Sequence, residues 1–301
     1  MKSLISMATK GLLAGSLLLS GAAGAADVDM KASHQWPGGK GDIRDEMVQI
    51  IARHMSEANT GVNIRVYPGK SLYKPKEQWG PLTKGKLDIT AFPLAYAGGK
   101  HPEFNLTLMP GLVKNHDHAL RLNKSEFMNK IKGIMDEAGV MVLADTWLAG
   151  GFVSKKKCIL EPDDDKGLKF RAAGKAFNQM LEAAGASITS MPSSEIYTGL
   201  QTGVLDGANT SSSSLVSYRI YEQVTCLTAP GSNALWVMYE PILMSKKSFA
   251  KLDENQQKEL MKAAAAAEKF ATQASKEADQ KLVDAYKKAG VKVVEMSPEQ
   301  A

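Results

Sequence analysis

The chain has 301 residues, with 37 Lys and Arg against 32 Asp and Glu, a formal charge of +5 and 44% apolar residues. That balance is too even for a nucleic-acid binder, which needs a clustered basic face. The length is enough for two lobes with separate cores.

Residues 1–26 read as a secretory signal. Lys2 and Lys10 give the positive start, Gly11 to Leu19 the short apolar core, and cleavage is expected near Ala25 or Ala26. The apolar run is well short of the ~20 residues a bilayer span needs. Removing the signal drops the charge to +3 and implies export to the periplasm. There the two cysteines, Cys158 and Cys226, are expected to pair rather than remain as two buried thiols.

Short β-like runs then alternate with amphipathic helices, so the fold class is α/β. Val28 to Ser33 is a strand, and Asp42 to Asn59 a helix with Ile43, Met47, Ile50, Ile51, Met55 and Ala58 on one face. Strands follow over Val62 to Tyr67 and Leu87 to Phe92. Asn115 caps a helix running to about Ala138, and Val140 to Trp147 is a strand. A second block repeats the grammar: strand Gly167 to Ala172, helix Lys175 to Ala184, and strand Ala186 to Ser190. Ser193 or Ser194 then caps a helix through Thr202, a strand covers Val204 to Ala208, and a helix covers Ser211 to Tyr221. Last comes a capping box, Asp253 with Gln256, opening a proline-free helix to Gly290. At 1.5 Å per residue it reaches ~55 Å, longer than one small lobe, so it is expected to brace both.

Enzyme signatures are missing: there is no GxSxG, HExxH, GxGxxG or GxxxxGK[ST]. His116 and His118, two residues apart, point different ways on a helix and lack further ligands, so no metal is expected. No cofactor motif appears either. The run Ser211-Ser212-Ser213-Ser214 reads equally well as an anion seat or a plain helix cap. Arg171 ends a strand in LKFRAAG. Its guanidinium fork suits a carboxylate, but spacing alone favours a surface arginine near Asp163-Asp164-Asp165.

The stretch from Lys166 to Asp206, KGLKFRAAGKAFNQMLEAAGASITSMPSSEIYTGLQTGVLD, closely resembles the DctP-like solute-binding subunits of TRAP (tripartite ATP-independent periplasmic) transporters. Its KGLKxR opening, its MPxxExYxxLQTGxxDG centre and their spacing carry the likeness, which continues more loosely over nearly all of the mature chain. The resemblance implies two lobes joined by crossing strands, with 27–148 plus 237–275 as lobe I and 149–236 plus 276–301 as lobe II. It implies a monomer that traps a small organic-acid ligand and partners with TRAP membrane permease subunits, without catalysis. The carboxylate-binding arginine of such proteins falls on Arg171, and a polar cleft residue falls at or beside Asn209 and Thr210. Ser193, Trp236, Tyr239 and Glu240 face the ligand in the same scheme. Gln35 and Trp36 in the first-strand loop and the loop from Phe92 to Tyr96 line the opposite wall, while Trp36, Trp147, Trp236 and Tyr239 either make the cleft aromatic or pack in the core. Many relatives carry a second arginine some twenty residues earlier, where this chain has Gly150-Gly151-Phe152, so a monocarboxylate, hydroxy or aromatic acid is expected. The alternatives are a two-lobed enzyme acting on a small carboxylate, for which no base–nucleophile pair is evident near Arg171, and a ligand sensor for a membrane receptor.

Overall fold

The computed structural model describes residues 27–231 and 234–300, so the leader expected over residues 1–26 and its cleavage point lie outside them. The first half of the chain forms β1 (Val28–Ser33), α1 (Ile43–Glu57), β2 (Val62–Tyr67), α2 (Trp79–Thr83), β3 (Ile89–Ala91), α3 (His116–Leu122), α4 (Glu126–Glu137) and β4 (Val140–Ala144). Then come β5 (Trp147–Ser154), β6 (Lys169–Ala172), α5 (Lys175–Ala183), β7 (Ser187–Ser190), α6 (Ile196–Gln201), β8 (Gly207–Ser211), α7 (Ser212–Ser217) and β9 (Cys226–Ala229). The chain closes with β10 (Val237–Tyr239), β11 (Ile242–Ser245), α8 (Lys246–Phe249), α9 (Glu254–Lys288) and β12 (Lys292–Glu295).

The strands make two sheets. One has the order β2-β1-β3-β11-β4; the other has β12-β9-β5-β8-β6-β7, with β10 paired to β5. The chain passes between them twice. β4 stops at Ala144, Asp145-Thr146 carry it across, and β5 begins at Trp147 in the second sheet. On the return, β10 pairs antiparallel with Trp147–Ala149, and Glu240-Pro241 lead into β11 of the first sheet. The Glu240 N–H donates to the Thr146 carbonyl at 3.0 Å, which locks the two joints together. A strand running unbroken from Val140 to Trp147 is therefore not formed. The apolar run straddles the crossing, and its far end continues as the wholly buried β5.

Other departures have local causes. The helix expected over 115–138 is two, because Ser125 accepts from the Met128 N–H and restarts the chain as α4, after Asn115 has capped α3. The strand expected over Val204 to Ala208 is β8, three residues later: Val204 is exposed and Leu205 turns under Gly199. Gly207 opens β8 because a Cβ there would lie 2.4 Å from the Phe170 ring. Neither Ser193 nor Ser194 caps through its side chain; a short 3-10 turn, Ser193–Glu195, leads into α6. The helix expected over 211–221 is split: α7 ends at Ser217, and Arg219 in the left-handed conformation (φ 55°) leads into a 3-10 turn, Ile220–Glu222. Cys158 and Cys226 are disulfide-bonded, Cα atoms 5.2 Å apart, tying the loop after β5 to the start of β9.

Helix α9 is 35 residues long, ~52 Å, and opens on the Asp253–Gln256 capping box. Its buried stripe is narrow and small: Ala263, Ala264, Ala267, Ala271, Ser275 and Ala278 between Leu260 and Leu282. Small side chains let it lie close against α1 and β4 of the first sheet and against α7, β9 and β12 of the second. Polar ties add to this, His54 to Glu259 at 3.2 Å and Asp279 to both His116 and Ser212.

Asp165, in the loop before β6, is buried, and no group donates to its Oδ1. Burial, with the charge of Asp164, pushes its pKa up to about 7. A carboxyl whose folded pKa exceeds its unfolded value favours the folded state when protonated, so stability falls as pH rises from about 4 towards 7. Asp165→Asn is therefore expected to stabilise the protein by roughly 1–3 kcal/mol at pH 8 and hardly at all at pH 4. Thermal unfolding of both proteins at the two pH values checks this; a gain independent of pH contradicts it.

Candidate ligand-binding site

The crossing strands form the floor of a cleft, and the ends of both sheets supply its walls. A small cavity there is lined by Tyr96, Arg171, Ser193, Thr210, Tyr239 and Glu240, together with Pro93, Ala95, Leu108, Ala173 and Met238. Six of the residues singled out from sequence thus meet at one place.

Arg171 sits on β6 with 1% of its surface exposed, not on the surface near Asp163–Asp165. Its Nε donates to the Met191 carbonyl at 2.9 Å, Nη1 to the Asn209 carbonyl at 2.6 Å and Nη2 to the Tyr96 hydroxyl at 3.2 Å. A guanidinium has five N–H donors, so two remain. Among the described residues no carboxylate lies within ion-pairing distance of it. Burial pulls its pKa below the usual arginine value, against the opposing pull of Tyr96 and Glu240. The backbone carbonyls thus aim the fork without neutralising its charge.

The remaining candidates sit around this centre in other roles. The Tyr96 hydroxyl also accepts from the Ser193 N–H at 3.1 Å and, more loosely, from Gln35 Nε2 at 3.5 Å. Phe92 meets the Tyr96 ring edge-on at 6.1 Å and backs it against Trp79. Trp147 packs on the Tyr239 ring at 4.8 Å and donates to Asn123, and the Tyr239 hydroxyl turns away to Asp145. Trp236 lies edge-on to Phe177, and a Cβ on Gly150 would fall 2.0 Å from its ring and 2.3 Å from the Thr210 carbonyl. Phe92, Trp147 and Trp236 thus stand behind the wall instead of lining the cavity. Asn209 holds Arg171 through its backbone, while its own side-chain amide is buried with neither polar atom hydrogen-bonded.

A second buried cation, Arg44 at the start of α1, escaped the sequence reading. Its Nε and Nη2 donate to the two oxygens of Asp42, and Nη1 to Glu240 Oε2 and to Ser211 Oγ at 2.9 Å. Nη2 also reaches Ser214 Oγ at 3.1 Å, and the guanidinium stacks on Trp36 at 4.0 Å. Burial opposes its charge, but Asp42 and Glu240 outweigh that and hold its pKa above the ordinary arginine value. The serine run is accordingly a helix cap whose hydroxyls accept from a cation and its neighbours, not an anion seat. Ser211 caps α7, while Ser211 and Ser214 receive Arg44, Ser214 receives Trp36 Nε1, and Ser213 receives the Ile43 N–H. These bonds tie the first sheet's loop to the second sheet's helix, as Lys76 to Ser190 does at the cleft's edge (3.1 Å). The signal in the sequence was Arg44 itself, the one cation in the first turn of this helix, set between Asp42 and Asp45-Glu46.

The comparisons agree with this geometry. The model for bacterial extracellular solute-binding protein, family 7 (DctP), matches residues 35–301. A solute-binding protein of Albidiferax ferrireducens is 40% identical over 95% of this chain and 86% of its own length. The C4-dicarboxylate-binding periplasmic protein DctP of Rhodobacter capsulatus is 29% identical over 93% of this chain and 84% of its own. Among solved structures, a TRAP periplasmic solute-binding protein from Rhodoferax ferrireducens with bound malonate superposes with a TM-score of 0.87 at 40% identity, covering 90% of this chain and 87% of that one. The chain belongs to the TRAP-type bacterial extracellular solute-binding proteins of family 7, a family that binds substrates rather than transforming them.

Proposed function

We propose that the protein captures a small organic acid in the cleft, with one carboxylate on the two free N–H groups of Arg171, and delivers it to a TRAP-type permease outside the cytoplasmic membrane. The observation that carries this reading is a buried guanidinium that is held by backbone carbonyls, has no ion-pair partner among the described residues and faces a small cavity. A closed cleft removes water, so a bound anion must meet a fixed charged donor there. The two sheets are the cores of two lobes, approximately 27–148 plus 237–275 and 149–236 plus 276–301, which part and close about the paired joints at Asp145-Thr146 and Glu240-Pro241. The relatives' periplasmic names support the location, and no described helix is long and apolar enough to cross a membrane.

A monocarboxylate suits the cavity best. Where relatives are expected to carry a second arginine, Gly150 has its Cβ space filled by Trp236, which leaves no room for a longer side chain. The malonate in the Rhodoferax ferrireducens protein makes dicarboxylates the natural comparison. A thermal-shift screen of mono- and dicarboxylates, hydroxy acids, aromatic acids and sulfonates tests the reading. At a hundred times its dissociation constant, a specific ligand adds ~2.7 kcal/mol, a rise of about 5 °C or more. A monocarboxylate is expected to give the largest rise; no rise with any acid would sink the proposal.

A further inference from the structure

The cleft holds a second group that the protein satisfies only in part. Glu240 stands at the joint between β10 and β11, its N–H fixed to Thr146 and its side chain 3% exposed in the same cavity wall as Arg171. Arg44 takes one carboxylate oxygen, Oε2, and cannot swing to take the other because Asp42 holds its Nε and Nη2. Among the described residues nothing donates to Oε1. A carboxylate oxygen without a donor becomes costly once a ligand closes the cavity over it, and a plain carboxylic acid on Arg171 would set a second anion near it and still offer no proton.

We propose that Glu240 determines specificity by accepting a hydrogen bond from a donor, a hydroxyl or an ammonium, carried close to the carboxylate that Arg171 holds. This rests on the anion site proposed above. The two free N–H groups of Arg171 and the free acceptor of Glu240 then make a complementary pair of seats in one small cavity. The charges facing it also bear on which donor fits. Arg44 and Arg171 balance Asp42 and Glu240, so an amino acid zwitterion adds no net charge, whereas a hydroxy acid adds one negative charge. Burial already lifts the Glu240 carboxyl above the ordinary glutamate range, so a second anion beside it opposes its ionised, accepting form, and an ammonium fits better than a hydroxyl.

The test uses matched probes on the full mature chain: propanoate, 2-oxopropanoate, 2-hydroxypropanoate and 2-aminopropanoate, their 3-phenyl counterparts, and malonate and succinate. In wild type the hydroxy or the amino acid of at least one series should bind at least about tenfold more tightly than its oxo and unsubstituted analogues. In Glu240→Gln the amide oxygen still serves Arg44, so the NH2 faces the cavity and the ranking should turn towards the oxo acid. Calorimetry in two buffers of different ionisation enthalpy checks that Glu240 stays an ionised acceptor: no proton should be taken up with either donor, and uptake on binding overturns that role. Binding of the oxo acid by wild type as tight as that of both the hydroxy and the amino acid in every series, or an unchanged ranking in folded Glu240→Gln, overturns the proposal; if that variant does not fold, the wild-type ranking decides alone. Binding of malonate or succinate with silence from every hydroxy and amino acid overturns it but leaves the anion site standing. Silence from the whole panel removes both.

Discussion

Arg171→Ala is expected to weaken binding of the best acid from the screen by roughly 2–5 kcal/mol, more than an order of magnitude in affinity at the least. The loss is large because the ligand carboxylate would be stranded in a cleft whose other buried cation, Arg44, is already taken by Asp42 and Glu240. Arg171→Lys keeps a positive charge but loses both the fork and the carbonyl bonds to Met191 and Asn209 that aim it, so it should recover only part of the affinity. The fold should survive either change: without ligand the wild-type guanidinium bears the cost of burial with no ion pair to offset it. Melting curves of the free variants close to wild type, with binding lost, are the expected pattern.

Arg44→Met should do the reverse, damaging stability first. The substitution keeps an unbranched apolar stem but removes the guanidinium stacked on Trp36 and leaves Asp42 and Glu240, both buried, without their cation. Removing one partner from such a group typically costs about 3–5 kcal/mol, here a fall in Tm on the order of 10 °C. It also removes the donors that tie Ser211 and Ser214 to α1, so the two sheets lose a bridge. Adding Glu240→Gln should restore part of the loss, since one stranded charge disappears; the two substitutions are in contact and should not add. A drop below about 2 °C for Arg44→Met would show that the cluster matters little to the folded state.

Much of the fold could be read from the chain because its signals are local. Asn115 and Asp253 each cap the helix they were expected to cap, Asp42 caps the helix expected to begin on it, and the alternation in Val28 to Ser33 and Val62 to Tyr67 fixes β1 and β2 to the residue. Cys158 and Cys226 were a pair by number and compartment. What failed was long-range in origin. The break at Asp145-Thr146 exists because one apolar run serves two sheets, and no periodicity records which sheet a residue joins. Val204 to Ala208 was misplaced because strand and turn share its apolar character. Within the site, Arg171 became legible through the KGLKFR motif, since spacing alone favoured the surface. Trp147 and Trp236 were placed near the cleft, but composition could not say that they stand one layer behind it. Arg44 was missed because a charge in the first turn of a helix is usually solvated, and its partner Glu240 lies 196 residues away.

A crystal structure of the protein with the acid that stabilises it most would test the central claim most directly. The account predicts the carboxylate on the two free N–H groups of Arg171, between Tyr96, Ser193 and Thr210, with the rest of the molecule running towards Glu240. A ligand seated elsewhere, or one in the cleft that makes no contact with Arg171, would contradict it.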